Sequence, residues 1–474
     1  MLLLKCDVSG IQSFIFDVPS KGAAKQLKAR SVYVQAITEI AKKFFEEKLG
    51  SLDVIYDGGG NLFFYANTSE ANLKTAIEEF QKDFQQENIF PIIAYLASEG
   101  DFKKDMQHIA QKANKAKLHK PLATQAYVYQ PIKEDIWKTF TEDLVKSKGF
   151  VIKQATQTDS QNPFSKAGFY FQVSNITAQF EGKILNKLPL KDQKIADFDE
   201  IVRKSTGDQK LAALKMDVDN LGRLFRNKTR EEYEENSGYL KHFFEVEIYQ
   251  ILKPHIDEAS IYPVFAGGDD CFLIGAWDKV LKAAGIIQEK FDAFQNEKKL
   301  NLTISAGVVI IPANFPMVRL AEEAEQALEL SKKYGKDKIT IFGEPLTWKN
   351  YKKAKEIAEK LKELIEKHNA SRAVLHRIKS SDIGFTRLQE QVQTGKLNFP
   401  KVHRLKYYLR NFTQKAEVKN EMENLFKEYE KALLETFMKK GENPNLNPMV
   451  FPVAARWAEL LTKSITEQEE TINS

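Results

Sequence analysis

Apolar and polar positions follow one order twice along this chain, over residues 1–100 and again over 211–342. In the first stretch LLLKCDV reads as an apolar strand, and a long helix follows from about Lys21 to Lys48, closed by Gly50. LDVIYD and NLFFYAN flank Gly58-Gly59-Gly60 as a hairpin, since glycine adopts the positive dihedrals of a tight turn. A helix from about Glu70 to Gln86 and the strand IFPIIAYLA complete a β-α-β-β-α-β unit. The second stretch repeats that order: LAALKMDV, helices to about Lys253, IYPVFAGG, DDCFLIGAW, a helix to Phe294 and LTISAGVVI. One more helix and the strand KITIFG follow.

The two stretches align in register. KCDVSGIQSFIF against KMDVDNLGRLF sets Asp7 opposite Asp217. YDGGGNLFFYA against FAGGDDCFLIGA sets Gly60 and Asn61 opposite Asp269 and Asp270. The pattern predicts an α+β chain built on a duplicated ferredoxin-like unit. The first unit is expected over 1–119 and the second over 207–345. A small α/β insert is expected over 120–206, with the strand-like pieces QAYVYQPI and GFYFQVS and the polar loop KQATQTDSQNPFSK. From 346 to 474 the spacing turns helical and heptad-like, as in YKKAKEIAEKLKELIEKH, which predicts a separate helical domain with solvated charged faces.

Composition narrows the class. A chain of 474 residues with 43% hydrophobic positions supports about three domains with real cores. Lys+Arg 70 against Asp+Glu 65 gives +5, which permits nucleic-acid contact without arguing for it. Cys6 and Cys271 each sit inside an apolar strand and read as small buried hydrophobes, not a disulfide or zinc set. MLLLKCDVSG is too short for a signal peptide, and no apolar run approaches the roughly 18 residues of a membrane span. A cytoplasmic protein without membrane contact is expected.

The chemistry lies at two strand ends. Asp217 closes LKMDV, and Asp269 with Asp270 follow Gly267-Gly268 in the second hairpin. Three carboxylates at one sheet edge suit hard divalent cations, Mg2+ or Mn2+, which take oxygen ligands. A pair of such ions roughly 3.5–4 Å apart activates a 3'-hydroxyl and neutralises a departing pyrophosphate. The expected metal set is Asp217, Val218, Asp269 and Asp270, and the site resembles the one that does nucleotidyl transfer in palm-type polymerases and nucleotide cyclases. Gly267 and Gly268 let phosphate approach the main chain, Asn220 and Gly222 can cradle phosphate or reach a sugar, and Ser305-Ala306-Gly307 suggest a close approach to the strand. The run AEEAEQALELSKKYGKDKITIF is similar to that of GGDEF-class cyclases, which places a triphosphate-contacting lysine at Lys332 with Lys336 nearby. The first unit keeps Asp7 but has Gly59, Gly60 and Asn61 where the second has carboxylates, so it is expected to bind metal poorly and hold a second nucleotide. Ser9 and Gly10 follow Asp7, and Ser20, Lys21, Lys25, Lys28 and Arg30 form a basic helix start suited to polyphosphate.

These residues together resemble the large subunit of type III CRISPR–Cas effector complexes, the CRISPR polymerase family, and its Csm-type members in particular. The matching pieces are DVSGIQSFIF at 7–16, SKGAAKQLKARS at 20–31, GGGN at 58–61, KMDVDNLG at 215–222, AGGDD at 266–270, SAGVV at 305–309 and KITIFGEPLTW at 338–348. The resemblance implies two palm domains face to face, an insert between them and a C-terminal helical domain facing small subunits. It implies a nucleotidyltransferase that joins ATP into cyclic oligoadenylates when target RNA pairs with guide RNA, with other protein subunits as partners. Many members begin with an HD nuclease domain, whereas here the first palm starts at residue 1, so cleavage of single-stranded DNA is not expected. Members often carry a four-cysteine zinc module between the palms. This insert has no cysteine, so no zinc is expected and the insert should fold on its own core. The same site joining AMP to S-adenosylmethionine is one alternative. A stand-alone GGDEF-like dinucleotide cyclase is another, and a non-catalytic scaffold a third.

Overall fold

Strand alternation organises the molecule. In β1 (Leu2–Ser9) Leu2, Leu4, Cys6 and Val8 enter one apolar cluster, while Leu3 enters another on the opposite face. This is the period-two arrangement of a strand covered on both sides. The computed structural model describes residues 1–84, 89–118, 132–156, 162–382, 384–395, 407, 416–439 and 445–463. After β1 come α1 (Ile11–Phe16), α2 (Leu27–Leu49), β2 (Leu52–Gly58), β3 (Asn61–Ala66), α3 (Glu70–Lys82), β4 (Phe90–Ala97) and α4 (Phe102–Leu118). The sheet runs β2-β3-β1-β4, antiparallel throughout, as a ferredoxin-like unit requires. The helix expected from Lys21 starts later: Gly22 at φ 79° stands before a short turn, Ala23–Lys25, and α2 begins at Leu27.

The insert contains α5 (Glu134–Lys146), β5 (Gly149–Gln154), β6 (Ser165–Lys166), β7 (Phe169–Ser174), β8 (Leu190–Lys191), β9 (Lys194–Ile195) and α6 (Phe198–Val202). The expected strand at 125–131 and the middle of the polar loop, 157–161, lie outside the described residues. Among the described residues the insert packs into the core of the first unit and not on one of its own, contrary to expectation. Trp137, Phe140, Phe164 and Phe171 belong to the same cluster as Phe14 and Tyr33 of the first unit. Tyr33 of α2 meets Trp137 at 5.7 Å and Phe164 at 5.6 Å between ring centroids.

The second unit comprises β10 (Leu211–Asp219), α7 (Leu221–Leu224), α8 (Arg230–His242), α9 (Ile248–Asp257), β11 (Ile261–Gly267), β12 (Asp270–Ala276), α10 (Trp277–Glu297), β13 (Thr303–Ile311), α11 (Met317–Lys333), β14 (Lys338–Ile341) and β15 (Glu344–Thr347). A π-helical turn, Phe243–Glu247, joins α8 to α9. The sheet runs β11-β12-β10-β13-β14-β15, so its first four strands repeat the order of the first sheet. β15 is an addition that the sequence reading missed, and the expected boundary at 345 falls inside it. Among the described residues the C-terminal helices include α12 (Trp348–Glu366), α13 (Ala373–Lys379), α14 (Phe385–Thr394) and those at Ala416–Met438 and Val450–Thr462. Their buried Val418, Met422, Val453 and Trp457 share one cluster with Met216, Phe291 and Trp348, so they extend the core of the second unit.

Alternation along β10 positions the chemistry. Ala212, Leu214, Met216 and Val218 enter the cluster shared with the C-terminal helices, and Leu211 and Ala213 enter the cluster shared with the first unit. Lys215, Asp217 and Asp219 follow the second set by period, on the side that faces the first unit. There the two hairpins meet: a Cβ placed on Gly59 would lie 3.6 Å from the Cα of Gly268. Arg230 reaches across with a two-pronged bond to Asp53, both contacts 2.6 Å, and the Lys241 ammonium donates to the Asp57 carbonyl at 2.9 Å.

A buried carboxyl on β15 makes stability depend on pH. Glu344 is 5% exposed, accepts from the Phe385 amide at 2.9 Å, and lies near Asp382, which Arg456 pairs at 2.9 Å. Burial first, and the Asp382 charge second, push its pKa up to about 7. The protonated form is favoured in the fold, so stability is full below the unfolded value and falls as pH rises through about 7. The loss by pH 8 is on the order of 3 kcal/mol. Glu344→Gln should therefore be more stable than wild type at pH 8 and equal to it near pH 4, in urea melts at the two pH values. Equal midpoints at pH 8 would refute the assignment.

Candidate active site between the two palms

The hairpin turns bring the carboxylates into register. Asp217 of β10 faces Asp270 of β12 as a Cα partner, and the Val218 amide donates to the Asp269 carbonyl at 3.1 Å. The first unit repeats this backbone arrangement: Asp7 faces Asn61, and the Val8 amide donates to the Gly60 carbonyl at 2.8 Å. The repeat alignment read from the sequence therefore holds residue by residue at the turn. Gly59 and Gly60 have φ of 57° and 78°, and Gly268 has φ 68°, the left-handed region that glycine enters at little cost.

Charge at the second turn is concentrated and partly shielded from water. Burial, then the Asp217 charge, pushes the Asp269 carboxyl up to about 6. Burial, then the Asp269 charge, holds Asp270 well above its usual range. Asp217 is raised by burial, with Lys332 pulling it the other way from 2.8 Å. As the side chains stand, no three His, Cys, Asp or Glu converge closely enough to hold an ion among the described residues. The donor chemistry does fit a hard divalent cation: three carboxylates on neighbouring backbone positions, each destabilised as an anion by burial.

A cavity of about 530 Å³ opens between the two units. Asp7, Ser9, Gly10, Gly59 and Gly60 line it from the first, and Gly267, Asp269 and Asp270 from the second. Ile184 and Leu185 of the insert also reach it, beside Lys28 and Glu245. Lys28 is buried, its ammonium donates to the Ile184 carbonyl at 3.4 Å, and burial lowers its pKa to about 7. Ser31 and Gln35, one and two turns further along α2, continue the same polar stripe into the cavity.

Other residues marked in the sequence sit elsewhere. Asn220 has φ 60° and accepts from Lys336 at 2.7 Å; neither lines the cavity. Gly222 has open space around it. Asn61 turns its amide toward the Gly59 carbonyl at 3.4 Å. Ser20 and Lys21 precede the turn before α2 and stand outside the cavity lining, which corrects the expectation of a basic helix start there. Ser305 also needs correction. It is fully buried and donates to Asp219 at 2.8 Å, together with Thr303 at 2.9 Å and the Asp337 amide at 3.0 Å. Asp219 thus clamps β10 to β13 and to the turn before β14, and Ser305 serves that clamp. The close approach to Ser305-Ala306-Gly307 is made by α11.

Sequence reading also missed a set of lysines. Lys117 at the end of α4 pairs with Asp7 at 2.7 Å, as Lys332 at the end of α11 pairs with Asp217. Lys215 pairs with Glu325 of α11, which also accepts from Gln12 of α1 at 2.8 Å. The signal was present in part: LKCD and LKMD carry a lysine at the same repeat position. Lys117 could have been found by mapping Lys332 through the repeat.

Two family models match the chain. One is described as the Cas10/Cmr2 second palm domain, over residues 210–340, and the other as Csm1 subunit domain B, over residues 1–131. Among curated relatives, the CRISPR system single-strand-specific deoxyribonuclease Cas10/Csm1 (subtype III-A) of Enterococcus italicus is 25% identical over 416 residues, covering 72% of this chain and 54% of that protein. The Methanocaldococcus jannaschii protein of the same name is 24% identical over 478 residues, covering 73% and 59%. The chain thus spans a little over half the length of these relatives. Among solved structures, a Csm1-Csm4 cassette in complex with pppApA superposes with a TM-score of 0.73 at 18% identity, covering 98% of this chain and 69% of that one. The same cassette in complex with cA4 gives 0.70 at 18% identity, covering 97% and 70%. Among the described residues no helix is long and apolar enough to cross a membrane.

Proposed function

Because the chain belongs to the Cas10/Csm1 family of type III-A CRISPR large subunits, we propose that it joins ATP into cyclic oligoadenylates between its two palms, within an RNA-guided effector complex. The observation that carries this reading is the cavity of about 530 Å³ that both hairpins enter. One ATP rests against each palm, and the 3'-hydroxyl of one attacks the α-phosphate of the other. The new O–P bond forms as the bond to pyrophosphate breaks, and pyrophosphate leaves.

Asp217, Asp269, Asp270 and the Val218 backbone would hold two Mg2+ or Mn2+ ions, which supply the charge neutralisation that this transfer needs. Gly267 and Gly268 admit the triphosphate to the main chain. Lys332 offers it positive charge, and Lys336, oriented by Asn220, stands behind it. On the first palm Asp7, Ser9, Gly10, Gly59 and Gly60 frame the acceptor nucleotide, while Lys28 and Lys117 balance its phosphates; Asn61 supports that turn through its bond to the Gly59 carbonyl. The similar structures pair Csm1 with Csm4, so a subunit of that kind is the expected protein partner, with guide and target RNA engaged through the assembly.

The test is reconstitution with the partner subunits and guide RNA, followed by labelled ATP, Mg2+ or Mn2+, and target RNA, with and without S-adenosylmethionine. Mass spectrometry should find cyclic oligoadenylates and pyrophosphate that depend on target RNA. Absence of any nucleotide product would overturn the reading. Exclusive formation of an adenylyl conjugate of S-adenosylmethionine would assign the same site to a different acceptor.

A further inference from the structure

Lys332 is held in a place that a cation would need. Its ammonium lies 2.8 Å from the Asp217 carboxylate, and Glu329, a turn earlier on α11, stands at 3.5 Å as an exposed alternative partner. The other nearby lysine is already committed, since Lys215 pairs with Glu325. The backbone beneath Lys332 is pinned: the Ser331 hydroxyl donates to the Ala306 carbonyl at 2.7 Å and bonds Thr340 at 2.7 Å. Any exchange at Asp217 therefore requires movement of one four-carbon side chain and leaves the helix in place.

The first palm supplies an independent comparison. Lys117 comes from the equivalent helix and holds Asp7 at 2.7 Å, with Lys5 at 3.8 Å. The hairpin there carries Gly60 and Asn61 at the positions that hold Asp269 and Asp270 in the second unit, so its own turn adds no carboxylate beside Asp7. In that copy the lysine stands beside the strand aspartate as its counter-charge. In the second copy the equivalent lysine pairs with Asp217, whose strand and hairpin neighbours Asp269 and Asp270 complete a carboxylate set that could bind a cation.

From this juxtaposition of Lys332 with Asp217, mirrored by Lys117 with Asp7, we propose that Lys332 is an internal counter-ion that competes with a metal cation for Asp217, a competition that nucleotide phosphate relieves by drawing the lysine away. The proposal rests on the reading of the second palm as the nucleotidyl-transfer site. A triphosphate offers the ammonium a charge-assisted bond of at least equal strength. Moving Lys332 onto phosphate frees Asp217, so nucleotide and cation bind cooperatively. By linkage each raises the affinity for the other by the same factor. The first palm lacks this coupling.

Manganese binding to the full chain without nucleotide, followed by the electron paramagnetic resonance signal of free Mn2+, tests the idea apart from catalysis. Lys332→Met should bind Mn2+ about tenfold more tightly than wild type. Lys332→Arg should match wild type, and Lys117→Met should leave the affinity unchanged. Unchanged or weaker binding in Lys332→Met would overturn the proposal. A second readout needs no variant: amine acetylation of the wild-type chain, quantified by mass spectrometry, should rise several-fold at Lys332 when Mn2+ is added and stay constant at Lys117. Constant or reduced labelling at Lys332 would also overturn it. Absence of Mn2+ binding in every variant would remove the metal site itself, an outcome distinct from equal binding in wild type and Lys332→Met.

Discussion

Asp269→Ala combined with Asp270→Ala will reduce oligoadenylate synthesis by on the order of a thousandfold or more while leaving the complex assembled. The two carboxylates line the cavity, and with Asp217 they form the acidic edge on which charge neutralisation depends. On the proposed reaction, removing them takes away the donors that would hold positive charge around the departing pyrophosphate. The same change should not harm the fold. Burial raises both carboxyls in pKa, with the Asp217 charge adding to it at Asp269 and the Asp269 charge at Asp270, so their ionised forms are a source of instability. Alanine at both positions relieves that repulsion. Labelled-ATP turnover and size-exclusion chromatography of the reconstituted complex measure the two halves. Retained synthesis would move the active site elsewhere, and loss of assembly would make these residues structural.

Gly307→Ala should cost about 3 kcal/mol or more and silence the site as well. A Cβ at this position would lie 2.2 Å from the Leu328 amide nitrogen and 2.6 Å from the Ala324 carbonyl oxygen. Both are backbone atoms of α11, so no side chain can rotate to make room. The helix must shift away from β13, and it carries Glu325 and Lys332, which pair with Lys215 and Asp217. Urea denaturation should therefore show a large drop in stability. Gly285→Ala in α10 is the control, because a Cβ there meets only a Tyr351 ring atom at 3.7 Å. A helix-interior glycine replaced by alanine gains up to about 1 kcal/mol. Equal stability of Gly307→Ala and wild type would show that the helix does not bear on the strand as described.

Much of this site was legible before any coordinates. Asp7 and Asp217, Asn61 and Asp270, and Gly60 and Asp269 occupy equivalent backbone positions, as the repeat alignment implies. Both cysteines are buried and free, as their apolar strands suggest. Ser305 was misread because a small residue on a strand signals close approach without saying of what. The neighbour is a helix, and the hydroxyl belongs to the Asp219 clamp. Ser20 and Lys21 were misplaced because Gly22 delays the helix. Lys117 was missed because it comes from a helix far in sequence from the Asp7 it pairs with.

Local rules were enough for strand order, hairpin turns and the duplicated unit, since periodicity and glycine conformation depend on near neighbours alone. They also placed three carboxylates at the ends of paired strands. Only the tertiary structure decided that the insert shares the first palm's aromatic core, that the C-terminal helices extend the second palm's core, and that each strand aspartate is held by a lysine from a distant helix. Those outcomes follow from which faces remain apolar after each sheet forms and from where buried charge finds its counter-charge. Both are properties of the packed whole, set between residues that the chain alone keeps far apart.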